Sequence, residues 1–135
     1  AYVAGRITAA LNTCRRAVNG SRVLVVGLAY KADVDDQRES PAFALMQLLA
    51  DGGADVAYYD PHIPEIKPTR EHPQWTGRRS VAWNRATISA FDLVVILTAH
   101  RAVEYQELAD WAQVVVDTRN ALAGTKVDST KVWKA

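Results

Sequence analysis

The sequence predicts a three-layer α/β fold, with a doubly wound parallel sheet of about four to five strands preceded by a helix. Three observations carry this. The run Val23-Leu24-Val25-Val26 is apolar without alternation, the pattern of a strand buried on both faces of a parallel sheet. A helix bounded by Ser40-Pro41 and Gly52-Gly53 separates it from a second strand, which makes one right-handed β-α-β unit. Strand-like and helix-like segments then keep alternating towards the end of the chain.

In order, about Tyr2 to Val18 reads as a helix, with Val3, Ile7, Ala10, Leu11 and Cys14 on one apolar stripe and Asn19-Gly20 at its end. The sequence opens inside this helix, as a piece cut from a longer chain would. The first strand is Arg22 to Val26. In the helix from about Ser40 to Asp51, Ser40 is expected as the cap and Pro41 at the first helical position. This helix buries Phe43, Met46, Leu49 and either Leu45 or Leu48. The second strand, Ala54 to Tyr59, closes at Asp60-Pro61. Between Pro61 and Ser80, Pro61, Pro64, Pro68 and Pro73 exclude regular structure over most of the segment, so it is expected to join no ladder and to be the most mobile part. A short strand (Val81 to Trp83), a short helix capped by Asn84, a third strand (Leu93 to Leu97), a helix (Ala102 to Trp111), a fourth strand (Val114 to Val116) and an edge strand (Lys131 to Trp133) follow. Crossovers that run first one way and then the other give the order 2-1-3-4, with a ligand-binding switch point between strands one and three.

A length of 135 residues fits one domain. With 49% hydrophobic residues and a net charge of +1, composition gives no reason to expect nucleic acid or an anionic membrane as partner. No apolar run approaches the ~20 residues of a membrane span. The single cysteine, Cys14, excludes an internal disulfide and suits a cytoplasmic location; on the apolar stripe it is expected to be buried.

The chain is organised around the stretch from Gly27 to Pro41. Between strand and helix it carries Lys31, Asp33, Asp35, Asp36, Arg38 and Glu39, more charge than a simple turn requires. Ligands of open α/β sheets bind at strand ends, so Lys31 and Arg38 are the first candidates for holding an anion. Arg119, in Asp117-Thr118-Arg119-Asn120 just past the fourth strand, opens on the same edge and with Lys31 makes a candidate diphosphate clamp. Each has a plainer reading: Lys31 a solvated loop lysine, Arg38 a partner of Asp35 or Asp36, Arg119 a surface arginine. After the first strand the sequence Gly27-Leu28-Ala29-Tyr30-Lys31-Ala32 lacks Gly-x-Gly-x-x-Gly, so the fold is expected to be Rossmann-like without a primary NAD site. No metal site is expected. The aspartates lack the glycine and distal glutamate of a calcium loop, and His62, His72 and His100 show no ligand spacing. His100 is expected to be a hydrogen-bonded structural residue.

This stretch resembles the C-terminal domain of the UDP-glucose/GDP-mannose dehydrogenase family. There an aromatic-Lys pair, an acidic run and Arg-Glu-Ser-Pro follow one another as Tyr30-Lys31, Asp33 to Asp36 and Arg38-Glu39-Ser40-Pro41 do here. Asp117-Thr118-Arg119 resembles a second signature, and Asp60-Pro61-His62 a third, to which a structural role is assigned. Tyrosine rather than phenylalanine at position 30 is more like the branch acting on UDP-N-acetylhexosamines. The resemblance runs from the first helix to about Leu122.

It implies that Tyr30, Lys31 and Arg119 contact a UDP-sugar, and that Arg38 reaches NAD bound on an N-terminal domain. Full-length members oxidise the C6 hydroxyl of a nucleotide sugar to a carboxylate in two NAD-dependent hydride transfers, linked by a thiohemiacetal on a cysteine. The glycine-rich motif of that cysteine, the dinucleotide fingerprint and the central substrate-binding lysine and asparagine have no counterpart here. The resemblance thus implies residues 1–19 as the end of a central connecting helix and residues 20–135 as a UDP-binding domain. Such a chain binds part of a substrate, works with N-terminal and central domains and is inactive alone. Docking of the first helix on the sheet is expected, with a helix-mediated homodimer as the alternative. The competing reading is a stand-alone Rossmann- or flavodoxin-like interaction or signalling module that binds no nucleotide sugar.

Overall fold

The computed structural model describes residues 2–135. Helix α1 (Tyr2–Thr13) leads into strand β1 (Arg22–Val26), followed by α2 (Ala42–Asp51) and β2 (Asp55–Tyr59). A short helix α3 (Arg85–Ser89) precedes β3 (Leu93–Ile96), and α4 (Tyr105–Trp111) precedes β4 (Val115–Asp117) and β5 (Val132–Lys134). The strands form one sheet in the order β2-β1-β3-β4-β5, with every pairing parallel. The doubly wound order expected from the crossovers is therefore present, and β5 extends it by one strand.

Strand alternation sorts the core into two layers. Val23, Val25, Val56, Tyr58 and Val95 face α1 and α2, meeting Ile7, Leu11, Phe43, Met46 and Leu49. Leu24, Val26, Val94, Ile96 and Val115 face α3 and α4, meeting Ile88 and Leu108. Continuous apolar strands are what a sheet covered on both faces requires.

Five expectations are corrected. The first helix stops at Thr13 rather than near Val18, because Arg15 takes a left-handed φ of 60° and the amides of Cys14 and Arg16 fold back on the Leu11 carbonyl. Cys14 lies in that turn and is exposed, while Ile7, Ala10 and Leu11 dock on the sheet face as expected. Pro41 stands just before the first helical residue of α2 rather than inside it; Ser40 does receive the Ala42 N–H on its hydroxyl, and it donates to the Leu28 carbonyl. Residues 81–83 form no strand, although the Val81 amide bonds the Tyr58 carbonyl.

The fifth is the expectation that the proline-rich segment joins no ladder. Glu65 and Arg79 pair in an antiparallel bridge, and the amides of Ile66, Gly77 and Ser80 bond across the segment to Arg78, Ile66 and Pro64. Ile63, Ile66 and Trp75 are buried in the core beside α2. The prolines break the helix and strand periods, but they leave enough N–H groups between them to close a compact loop.

Candidate functional site

Because the strands run parallel, the C-terminal ends of β1, β3 and β4 open on one edge. Gly27 makes the first turn there. Its φ is +92°, and a Cβ at this position would overlap the Thr98 backbone, so only glycine lets β1 pass so close to the end of β3. The Thr98 hydroxyl then donates to the Ala29 carbonyl at 2.8 Å.

Asp60, buried at the end of β2, ties this edge together. Its Oδ2 accepts the amides of Leu28 and Ala29 at 2.8 and 2.9 Å and faces His100 Nε2 at 2.8 Å, while Oδ1 accepts the His62 amide at 2.8 Å. Burial pushes this carboxyl up, but the hydrogen bonds from His100, Ala29 and His62 prevail and hold it below its ordinary value. The amides that follow β1 are the groups a dinucleotide-binding turn directs at a phosphate. Here they are taken by a carboxylate of the same chain. The turn therefore does not fit a primary NAD site, in keeping with the missing glycine fingerprint.

The charged loop is fastened at two points. The Tyr30 amide donates to the Asp36 carbonyl at 2.7 Å. Asp33, in a left-handed conformation with φ 63°, donates its amide to His100 Nδ1 at 2.8 Å. Its carboxylate accepts the backbone N–H and Nε of Arg101 at 2.8 and 2.9 Å; the Arg101 amide is the main cause of its lowered pKa. Arg38 forks onto Asp36 through Nε and Nη2 at 3.0 and 2.9 Å, and the side-chain bond brings the Asp36 carboxyl down to about 2. Arg38 thus makes the Asp36 pair that the plainer reading anticipated. It remains largely exposed, lining a shallow cavity of about 430 Å³ with Asp35, Gln37, Lys67 and Pro68.

Tyr30 and Lys31 are exposed, and Lys31 has no ion-pair partner among the described residues. Arg119 is shaped by Asp117, which is buried and accepts the amides of Arg119, Ala121 and Leu122 at 3.0 to 3.1 Å. Its Nε donates to the Leu97 carbonyl at 2.8 Å, and its terminal nitrogens have no protein acceptor among the described residues. The Lys31 loop and Arg119 are therefore anchored on one segment, Leu97 to Arg101, at the end of β3. Among the described residues neither Lys31 nor Arg119 has an ion-pair partner, while Arg38 is paired with Asp36.

Asp33, His62 and His100 bring one potential metal-ligand atom each within 4.8 Å of the others, a grouping their sequence separation conceals. Both His100 nitrogens are engaged, by Asp33 N–H and by Asp60, and the Asp33 carboxylate is engaged by Arg101. His62 Nε2 is buried without a hydrogen-bond partner. Three-point ligation would break bonds that build the edge, so the cluster reads as structure. Asp60 and His100 are the residues whose weight sequence reasoning understated; the signals were an Asp-Pro and a Thr-x-His at two strand ends.

The sequence profile of the UDP-glucose/GDP-mannose dehydrogenase family, UDP binding domain, matches residues 24–124. The chain belongs to the UDP-glucose/GDP-mannose dehydrogenase family. The match runs from β1 through Arg119, so the whole edge described above lies inside this family's UDP-binding domain. A UDP-N-acetyl-D-mannosamine dehydrogenase of Methanococcus maripaludis (strain C7) is 29% identical over 130 residues, which cover 90% of this chain and 27% of that protein. A UDP-glucose 6-dehydrogenase of Rhizobium meliloti is 50% identical over 44 residues, covering 33% of this chain and 10% of that one.

Among solved structures, the UDP-N-acetyl-mannosamine dehydrogenase Cap5O from Staphylococcus aureus superposes with a TM-score of 0.68 at 26% identity, over 98% of this chain and 29% of that one. An NDP-N-acetyl-D-galactosaminuronic acid dehydrogenase from Methanosarcina mazei shares the fold with a TM-score of 0.77 at 24% identity, over 99% of this chain and 28% of that one. The chain thus spans under a third of these dehydrogenases. No helix among the described residues is long and apolar enough to cross a membrane.

Proposed function

We propose that residues 20–135 bind the UDP moiety of a nucleotide sugar on the β1/β3/β4 edge, as one domain of an NAD-dependent nucleotide-sugar 6-dehydrogenase, with residues 1–19 the end of its connecting helix. The observation that carries this reading is the pair of cations without an ion-pair partner among the described residues, Arg119 anchored on the end of β3 and Lys31 on a loop fastened there through Asp33, within the matched region. An ammonium and a guanidinium fork suit the oxygens of a diphosphate, and Tyr30 beside Lys31 offers a ring to the base or ribose.

The substrate class is a UDP-N-acetylhexosamine or UDP-glucose; UDP-N-acetyl-D-mannosamine and UDP-glucose are named in the relatives that support it. Bound NAD supplies the hydride acceptor for oxidation of a C6 hydroxyl to a carboxylate. In this reading the cofactor sits on an N-terminal domain, and Arg38, exposed beyond its Asp36 pair, reaches towards it. Cys14 lies exposed in the turn after α1 with no base bonded to it among the described residues, so it is not assigned as a nucleophile. This chain holds the nucleotide, and the chemistry belongs to the N-terminal and central domains.

Calorimetric titration of the chain with UDP tests the reading. Each charge-assisted contact contributes roughly 1.5–3 kcal/mol, so Lys31→Ala and Arg119→Ala should each weaken binding by about one to two orders of magnitude. Lys67→Ala, across the loop, should leave it unchanged. Absence of binding would favour the interaction-module reading, and equal binding by all variants would refute the placement of the diphosphate on Lys31 and Arg119.

A further inference from the structure

Asp33 is held in its left-handed conformation by a side chain from a distant part of the chain: its N–H donates to His100 Nδ1. Nδ1 therefore presents a lone pair, and the neutral ring carries its proton on Nε2, facing Asp60 Oδ2. The tautomer is imposed from both sides. A carboxylate can only accept and a backbone amide can only donate, and the imidazole is the group that serves both at once. His100 is fully buried, its carbonyl accepts the Tyr105 hydroxyl at 2.9 Å, and its ring meets His62 edge-on with centroids 4.7 Å apart. Lys31 lies between the two fastened points of its loop, Tyr30 and Asp33, and its own side chain forms no ion pair among the described residues.

We propose that His100, held as the Nε2–H tautomer between Asp60 and the Asp33 amide, is the positioning residue that fixes Lys31 on the nucleotide edge. The inference rests on the UDP reading for its ligand and on this hydrogen-bond relay for its geometry. His100 itself touches no ligand; it transmits the placement of the β2 end to the loop after β1. Without it the Asp33 amide loses its partner, leaving only the carboxylate's bonds to Arg101, and Lys31 meets the diphosphate from a looser loop.

Two substitutions separate this role from simple filling of the core. His100→Asn places an amide oxygen near Nδ1 and keeps an acceptor for Asp33. His100→Gln places an amide nitrogen near Nε2, keeps the donor to Asp60 and gives up the acceptor. With UDP-glucose as titrant, H100N should bind within about threefold of the unsubstituted chain, and H100Q about tenfold or more weakly, the scale of one orphaned amide. Nitrogen-15 spectra of the unsubstituted chain should show His100 protonated on Nε2 alone. The Asp33 amide should exchange slowly in H100N and fast in H100Q.

An Nδ1–H tautomer, or equal affinities and equal exchange in the two variants, overturns the proposal. If the unsubstituted chain binds no UDP-glucose, the UDP reading falls on its own, and the tautomer and the Asp33 exchange rates still decide whether His100 positions the loop. If H100Q does not fold, the tautomer and the slow Asp33 exchange in H100N decide it.

Discussion

Asp60→Asn is the substitution that most directly probes how the edge is built. The carboxylate serves four donors: the amides of Leu28, Ala29 and His62, and His100 Nε2. Asparagine offers one oxygen. Placed at Oδ2 it keeps three of the four, but its NH2 then confronts the His62 amide, donor against donor. One orphaned buried amide costs about 1–3 kcal/mol, and exchanging three charge-assisted bonds for neutral ones removes up to about 1 kcal/mol each. Relief from burying a carboxylate offsets part of this. The net expectation is a loss of about 3 kcal/mol, or roughly 10 °C in melting temperature for a domain of this size. Calorimetric melting measures it, with Asp55→Asn as the control. Asp55 is exposed and pairs with Arg22 at 3.6 Å, so its loss should stay within about 0.5 kcal/mol. A D60N melting point within about 2 °C of the unsubstituted chain would refute the claim that Asp60 holds the β1 turn.

Acid should weaken the fold in a definite window. Asp60 and Asp36 hold their protons less tightly in the folded chain than in the unfolded one, so the unfolded state binds more protons and stability falls with pH, from the ordinary aspartate value near ~3.9 down through the Asp36 value of about 2. Urea midpoints across that range should decline, and decline less in D60N; a flat profile contradicts the assignment. Docking of α1 predicts that Ile7→Ala, at a fully buried position, loses about 2–5 kcal/mol in urea unfolding. Cys14→Ser should shift stability by less than about 0.5 kcal/mol, and Cys14 should react with a thiol reagent in the native chain.

The layer order was readable because its cause is local. An unbroken apolar β1 is a strand covered on both faces, and a glycine pair after α2 ends a crossover helix. The site was readable only where charge stood at a strand end, as with Lys31 and Arg119. What pairs Arg38 is two residues away, and the plainer reading named it. What holds Lys31 is not local: Asp60 and His100 reach the charged loop from 27 and 67 residues beyond Asp33. The helical stripe to Cys14 misled because periodicity does not reveal that Arg15 turns left-handed. The prolines misled because they exclude periodic structure without excluding a bonded, packed loop such as the one around Ile66 and Trp75.

In the proposed function UDP lies across the ends of β1, β3 and β4. Amide chemical-shift mapping of the isotopically labelled chain with UDP tests it residue by residue. The largest shifts should fall on residues 30–33 and 118–120, Leu97 to Arg101 between them should move too, and the Lys67 to His72 side of the loop should stay still. Shifts confined to residues 67–72, or none at saturating UDP, would contradict it.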